Sequence, residues 1–214
     1  MRFRNRRDAG ERLAERLLEV DLDAPIILAL PRGGVPVGFE IARALHAPLD
    51  VFVARKVGAP GHRELGIGAI AEGGEVVIDE AALRMLGVTR EQFDQLVDQE
   101  RPELARRVLR YRGERALPDL SERDVVLVDD GLATGTTAEA ALRGLRRNGV
   151  RRMLLAVPAS APEAAARLTG LADEVVCILA PIDFVAVGKW YHDFDQTSDD
   201  EVVRLLDAAS RSDI

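Results

Sequence analysis

The sequence is poor in the residues that build disulfides, aromatic clusters and membrane spans. It has one cysteine, Cys177, and 4% aromatic residues in a chain of 214. One cysteine cannot form an internal disulfide, so a reducing, cytoplasmic location is expected. The apolar run around Cys177 predicts a buried strand residue rather than a nucleophile. No apolar run approaches the ~20 residues that a membrane-spanning helix needs.

The chain also lacks an excess of positive charge. Its formal net charge is -7 at pH 7, which argues against general binding of nucleic acid. Basic residues are dispersed except between residues 2 and 16, and no apolar segment follows them as one would in a secretory signal. Hydrophobic residues make up 47% of the chain, enough for a large buried core.

The hydrophobic pattern alternates between short, branched runs and longer helical stretches, which is typical of a parallel sheet covered by helices. Strands are predicted at residues 25–30, 50–54, 124–128, 153–157 and 174–179. Helices are predicted at residues 8–19, 35–46, 90–112, 136–148, 162–171 and 199–209. Strand followed by helix, repeated, predicts one α/β domain over residues 1–214, with a doubly wound, mainly parallel sheet.

Two segments interrupt this alternation. Residues 58–79 are rich in glycine and predict a mobile loop followed by a β-hairpin, whose tip is the sequence Glu72-Gly73-Gly74-Glu75. Residues 180–198 hold four of the nine aromatic side chains, outside any clean period. We interpret them as a small appendage to the sheet, a hood. The charged stretch 101–123 is interpreted as a solvated helix and its connection.

The most informative motif is a buried strand that ends in two carboxylates and a loop of small residues: Asp124-Val125-Val126-Leu127-Val128-Asp129-Asp130-Gly131-Leu132-Ala133-Thr134-Gly135-Thr136-Thr137. Open α/β sheets bind ligands at the carboxyl ends of their strands. Small residues and a helix N-terminus present amide groups to a phosphate. Adjacent carboxylates near a phosphate need hydroxyl donors or a metal, and a ribose diol with Mg²⁺ offers both.

Other sites with strand-to-helix loops fit less well. A Walker loop needs a Gly-Lys-Ser/Thr sequence, and this loop contains no lysine. In a Rossmann fingerprint the acid lies on a later strand, whereas here the acids precede the loop. A dehalogenase-type site separates its two aspartates by one residue. An ordinary capped turn explains one aspartate or threonine, but not the whole motif.

The motif resembles the PRPP-binding signature of type I phosphoribosyltransferases, and its stretch 128–137 is most similar to the adenine-type version. The resemblance implies that Asp129 and Asp130 hold the ribose hydroxyls. It also implies that the following loop binds the 5-phosphate of PRPP, through Gly131, Ala133, Thr134, Gly135, Thr136 and Thr137. Alanine at position 133 departs from the 6-oxopurine members, which carry an acid there.

Two further loops resemble the pyrophosphate end of these enzymes. Arg32, Gly33 and Gly34 follow the first strand, where members of the family carry small residues and a basic residue. Arg55 and Lys56 end the second strand, as in orotate- and adenine-type enzymes, and residues 58–68 would form a catalytic lid. The alternative is an ordinary turn followed by a solvated strand end.

The aromatic segment resembles the hood of the 6-oxopurine members. The resemblance implies that Phe184, Val185, Trp190 and Tyr191 contact the base, and that Asp193 joins Asp129 and Asp130 near a metal. The alternative is an aromatic cluster that fastens the C-terminal helix. The arrangement PRGG, RKVGAP and DFVAVG is similar to a poorly defined group of phosphoribosyltransferase-like proteins.

These features predict an enzyme of nucleotide metabolism that transfers ribose 5-phosphate from PRPP to a purine-like base, with Mg²⁺ as cofactor. Asp129, Asp130, Arg32 and Lys56 are the predicted catalytic residues. A non-catalytic regulator that senses PRPP or a nucleotide is the alternative, and a phosphatase or phosphorylase acting on a ribose phosphate is a third possibility. The family resemblance is compatible with a homodimer.

Overall fold

The computed structural model describes residues 1–211, apart from the side chains of Arg63 and Glu64. The strands are β1 Ile26–Ala29, β2 Leu49–Val51, β3 Ala54–Ala59, β4 His62–Ala71, β5 Val76–Ile78, β6 Asp124–Val128, β7 Arg152–Ala159 and β8 Glu174–Leu179. The helices are α1 Arg6–Leu17, α2 Gly34–Leu45, α3 Glu80–Leu86, α4 Arg90–Arg112, α5 Thr136–Arg146, α6 Pro162–Leu168 and α7 Asp199–Arg211.

The main sheet has five strands in the order β2-β1-β6-β7-β8, and every neighbouring pair is parallel. The predicted doubly wound α/β fold is therefore confirmed. From β1 the chain proceeds to one edge of the sheet, and from β6 it proceeds to the other edge. The strand order thus reverses between β1 and β6, and such a switch point opens the crevice in which α/β proteins bind ligands.

Both faces of the main sheet are covered by helices. On one face, Ile27, Val126 and Leu154 pack against apolar residues of α1 and α2. On the other face, Leu127 and Leu155 pack against α5 and α6. Successive side chains of each strand point to opposite faces of the sheet. Because both faces are buried, the central strands are apolar throughout, as the continuous hydrophobic runs predict.

The second sheet differs from the prediction of a loop at residues 58–68. β3 and β4 pair antiparallel with a turn at Pro60 and Gly61. Strand structure prevails over the glycine-rich composition because Val57, Ile67 and Ile70 are completely buried, in the same cluster as Phe93 of α4. β5 pairs with β4 after a turn at residues 72–74.

Helix α4 begins at a capping box, in which the Thr89 side chain accepts from the Gln92 amide and the Gln92 side chain accepts from the Thr89 amide. The short helix α3, capped by the Asp79 side chain, was not predicted. Over residues 1–211, no helix combines the length and the apolar character that crossing a bilayer requires.

Candidate active site

The loops that follow β1 and β6 meet at the switch point of the main sheet. Their contact is so close that a Cβ atom on Gly33 would lie 1.9 Å from Oδ2 of Asp130, and one on Gly34 would lie 2.6 Å from the carbonyl oxygen of Val128. Only glycine permits this approach. The two glycines of the PRGG segment are therefore required by packing against the acidic motif, and Arg32 is brought beside it.

Asp129 and Asp130 lie at the end of β6 and line a cavity of about 750 Å³. The backbone amide of Asp130 donates to Oδ1 of Asp129 at 2.8 Å, which holds the Asp129 side chain against the backbone of the motif. Burial, reinforced by the negative charge of Asp130, raises the pKa of Asp129 well above its usual value. Burial also raises the pKa of Asp130, and the Arg6 guanidinium opposes that rise.

Arg6 is a site residue that the sequence analysis missed. Its Nε donates to Oδ2 of Asp130 at 2.7 Å, and the two side chains are only 12% and 15% exposed. Its guanidinium carbon lies 3.9 Å above the centre of the Phe194 ring, a cation–π geometry. Arg6 belongs to an arginine-rich helix in which no spacing or motif distinguishes it from its neighbours, so the pattern carried no signal for it.

The loop after Asp130 leads into the N-terminus of α5. Gly131 is required by space, because a Cβ there would lie 2.5 Å from a methyl carbon of Val187. Gly135 has φ 72° and precedes the helix without a side-chain cap. The first amides of α5 have no intrahelical acceptors, and amides at a helix N-terminus can bind an anion. The Thr136 hydroxyl donates to that of Thr134 at 3.1 Å, and Thr137 lines the cavity.

The cavity brings together five of the six predicted charged residues, whereas of the predicted phosphate-binding loop 131–137 Thr137 alone lines it. Its lining includes Arg32, Gly33, Arg55, Lys56, Asp129, Asp130 and Thr137. An adjoining space of about 720 Å³ shares Arg32, Gly33, Lys56, Arg107, Asp130 and Gln196 with it. That adjoining space, here called the hood lobe, is further lined by Arg6, Val187, Phe194 and Thr197. Residues from both sheets therefore converge on one cleft.

Arg55, predicted to bind pyrophosphate, is instead paired with two carboxylates of the protein. Its Nε donates to Oε2 of Glu100 at 2.7 Å, and its Nη1 lies 3.6 Å from Oε1 of Glu103. Both carboxylates belong to α4. Arg55 lines the cavity, but its charge is already neutralised, because its position in β3 places it directly against that helix.

The four predicted base-contacting residues do not line the cleft. Phe184 and Trp190 stack on each other with ring centroids 6.1 Å apart, and Val185 is 68% exposed. Tyr191 is only 4% exposed, packed between Phe3 and Phe194. Its hydroxyl, kept protonated because burial raises its pKa, donates to the Asp130 carbonyl oxygen at 2.6 Å. Tyr191 therefore supports the acidic motif instead of offering a ring for stacking.

Asp193, predicted to lie near a metal, does not line the cleft. It lines a neighbouring depression that shares Arg6, Gln196 and Thr197 with the hood lobe, and its Oδ1 accepts from the Asp195 amide at 3.2 Å. Among the residues that the structure describes, no three acidic, histidine or cysteine side chains form a group able to hold a metal. Between this segment and the acidic motif lies the Arg6 side chain, which donates to Oδ2 of Asp130 and to the Asp195 carbonyl oxygen.

Comparisons with known proteins bear on the family and the fold of this chain. The family model for the phosphoribosyl transferase domain matches residues 3–195. "Putative phosphoribosyl transferase Rv0571c" of Mycobacterium tuberculosis is 47% identical over 209 residues, covering 98% of this chain and 47% of that protein. The chain thus spans about half the length of this curated relative. A uracil phosphoribosyltransferase of Lacticaseibacillus paracasei is 32% identical over 83 residues, 34% of this chain and 40% of that protein.

A solved structure is similar over nearly the whole chain. The crystal structure of TT1426 from Thermus thermophilus has 47% sequence identity and a TM-score of 0.80, covering 96% of this chain and 98% of that one. The acidic motif, the loop that leads from it into α5, and the PRGG turn all lie within the residues that the family model matches. The chain therefore belongs to the phosphoribosyl transferase domain family.

Proposed function

We propose that the protein transfers ribose 5-phosphate from PRPP to a nitrogenous base and releases pyrophosphate. One observation carries the proposal. The carboxylate pair Asp129–Asp130, the uncapped N-terminus of α5 and the side chains of Arg32 and Lys56 border one cleft at the switch point. Such a cleft offers acceptors for a diol, amides for a phosphate and cations for a leaving group.

The carboxylates account for recognition of the ribose. Each ribose hydroxyl can donate to one carboxylate oxygen, and a hydrogen bond to a charged acceptor is stronger than a neutral one. Arg6 stabilises the ionised form of Asp130 against the effect of burial. Tyr191 holds the backbone of Asp130 through its carbonyl oxygen. The acidic motif is therefore fixed before substrate arrives, which is the condition for catalysis by positioning.

The cationic residues account for stabilisation of the departing pyrophosphate. Arg32 follows β1 and Lys56 lies in β3, so they approach the cleft from the two different sheets. The Nη1 atom of Arg32 lies 3.7 Å from Oδ1 of Asp199, and this contact orients the guanidinium. The Arg32 side chain is still 25% exposed, so a ligand can reach it. Negative charge that develops on the leaving group is favoured by such preorganised cations.

The acidic pair also fits a Mg²⁺ ion that arrives with PRPP. Mg²⁺ commonly binds one or two carboxylates and completes its coordination with substrate oxygens and water. Asp129 and Asp130 would provide those carboxylates. Among the side chains that the structure describes, no third acidic group joins them, so the fit is to a shared, substrate-bound ion. The ion would neutralise charge on the pyrophosphate.

The acceptor is proposed to be a purine-like base that enters the hood lobe. The lobe offers an apolar contact at Val187 and polar groups at Gln196 and Thr197, a combination that suits a flat, polar-edged heterocycle. The proposal rests on the resemblance to purine-type members. The relatives include uracil enzymes over a limited stretch, so pyrimidines belong in the test.

The decisive experiment measures pyrophosphate release from PRPP and Mg²⁺ across purines, pyrimidines and nicotinate. We expect release with at least one base. Asp130→Asn should weaken PRPP binding roughly ten- to hundredfold, because a hydrogen bond to a charged group contributes about 1.5–3 kcal/mol. Asp207→Asn, an exposed change on α7, is the control and should bind as the wild type does.

The outcomes separate this proposal from its alternative. PRPP binding that depends on Asp130 without any pyrophosphate release would identify a sensor. That result would refute turnover while retaining the binding site. Equal PRPP affinity in the Asp130→Asn variant and the wild type would refute the site itself.

A further inference from the structure

One face of α4 forms a wall of the cleft, although α4 lies outside every motif discussed above. Leu96, Gln99, Glu100 and Arg107 line the main cavity. Their spacing of three, four and seven residues places them on one side of the helix. The long helix therefore contributes a polar surface to the cleft in addition to its apolar contacts with β3.

Arg107 has a special position on this wall. It is the α4 residue that borders both the main cavity and the hood lobe, as Arg32 and Lys56 also do. Its side chain is only 19% exposed, and its Nε donates to Oε1 of Glu103 at 2.9 Å. The guanidinium carries four more N–H donors on its terminal nitrogens, in a planar arrangement that suits phosphate oxygens.

The charges around Arg107 leave an excess of cations on the wall. Glu100 and Glu103 are shared among the guanidinium groups of Arg55, Arg106 and Arg107. The hydrogen bond from Arg106, followed by that from Arg107, lowers the pKa of Glu103 to about 2. Glu103 therefore remains ionised and orients Arg107. Arg106 also lies 3.5 Å from Asp199, but Asp199 is shared with Arg32 and Arg110, and Arg110 pairs with Asp200 as well. Five guanidinium groups thus face four carboxylates, so one positive charge remains in excess.

We propose that Arg107 binds the pyrophosphate group of PRPP, while Arg55 fastens β3 to α4. This inference rests on the proposed function and deepens it. Arg55 has the position that the sequence motif favours, but its charge is used by Glu100 and Glu103. Arg107 reaches the cleft from a helix, and its orientation by Glu103 reduces the entropy lost when it binds an anion.

The test compares Arg107→Gln with Arg106→Gln. Both residues bond Glu103, but Arg106 is half exposed and does not line the cleft. Calorimetry would measure the affinities for pyrophosphate with Mg²⁺ and for ribose 5-phosphate. We expect Arg107→Gln to weaken pyrophosphate binding roughly ten- to hundredfold and to leave ribose 5-phosphate binding within about twofold. Arg106→Gln should change neither affinity by more than about threefold.

A purely structural role would lower both affinities of the Arg107 variant together, which would overturn the inference. Unchanged pyrophosphate affinity in Arg107→Gln, or an equal loss in Arg106→Gln, would overturn it as well. Arg107→Lys keeps the charge and should recover part of the pyrophosphate affinity, with thermal unfolding as a check on the fold. If the wild type binds PRPP and Asp130→Asn does not, failure at Arg107 leaves the proposed function intact.

Discussion

Substitution of Gly33 by alanine tests the close contact between the two loops of the site. Gly33 has φ -62° and ψ -31°, a conformation open to any residue, so alanine introduces no backbone strain. The new Cβ would lie 1.9 Å from Oδ2 of Asp130, whereas real Cβ contacts under 3.0 Å essentially do not occur. The Asp130 carboxylate must therefore move by roughly 1 Å, since the methyl group is fixed to the backbone.

The size of the effect follows from that displacement. A misplacement of about 1 Å in a catalytic constellation can reduce the rate roughly a hundredfold. The same movement disrupts the 2.7 Å ion pair with Arg6. The stability lost there is partly offset. Replacing glycine by alanine lowers the conformational entropy of the unfolded chain, which stabilises the folded protein by about 0.4–1 kcal/mol. We therefore expect a large loss of PRPP binding with a melting temperature within a few degrees of the wild type.

The assay is isothermal titration with PRPP and Mg²⁺, paired with thermal unfolding. Gly170→Ala is the matched control, because a Cβ at that position meets no atom within 4 Å. The reasoning fails if Gly33→Ala binds PRPP as tightly as Gly170→Ala does. It also fails if the melting temperature collapses, since the contact would then serve stability and not the site.

Two further predictions concern ionisation. PRPP binding through ionised carboxylates should weaken as the pH falls through the raised pKa values of Asp129 and Asp130. Arg6→Gln should move this loss to higher pH, because Arg6 lowers the pKa of Asp130. PRPP affinity is titrated against pH with Arg7→Gln as the control, and equal midpoints for Arg6→Gln and the wild type would disprove the reasoning. Burial raises the pKa of Cys177 to about 11, so roughly a thousandth is thiolate at pH 8. Ellman's reagent should therefore react slowly with the folded protein and quickly in urea, and equal rates would contradict this.

Periodicity and local signals predicted the regular elements closely. β6, β8 and α4 have the predicted bounds, because each is delimited by a strong local signal: the carboxylate turn after β6, Pro181 shortly after β8, and the capping box before and Gly113 after α4. Residues 50–54 were predicted as one strand, but β2 ends at Val51 and β3 begins at Ala54, and the two strands lie in different sheets. The apolar run continues through the point at which the chain changes sheet, so the hydrophobic pattern does not indicate the change.

The acidic motif and the PRGG turn could be predicted because each is contiguous in the chain and its chemistry depends on neighbouring residues. The contacts of the site could not. Arg6 is 124 positions away from its partner Asp130. The ring of Tyr191 is buried by Phe3, near the opposite end of the chain. Such pairs are decided by tertiary packing, and the single sequence contains no spacing that marks them.

The charged stretch 101–123 shows most clearly why composition was insufficient. It was interpreted as solvated, yet Arg112 is only 5% exposed. Its two terminal nitrogens each donate to a carboxylate oxygen of Glu72 at 2.8 Å, and one also donates to the Val51 carbonyl oxygen at 2.6 Å. This buried arginine therefore ties the end of α4 to the turn between β4 and β5 and to the end of β2.

That buried ion pair has a consequence for the cleft. Removing one partner of a buried pair costs about 3–5 kcal/mol, because the other charge remains without compensation. The connection through Arg112 therefore resists local separation of α4 from the second sheet. The same two elements carry Arg107 and Lys56 to the cleft. A polar cluster remote from the substrate thus fixes the distance between cations that would act on one pyrophosphate, whereas the main sheet independently fixes the carboxylates.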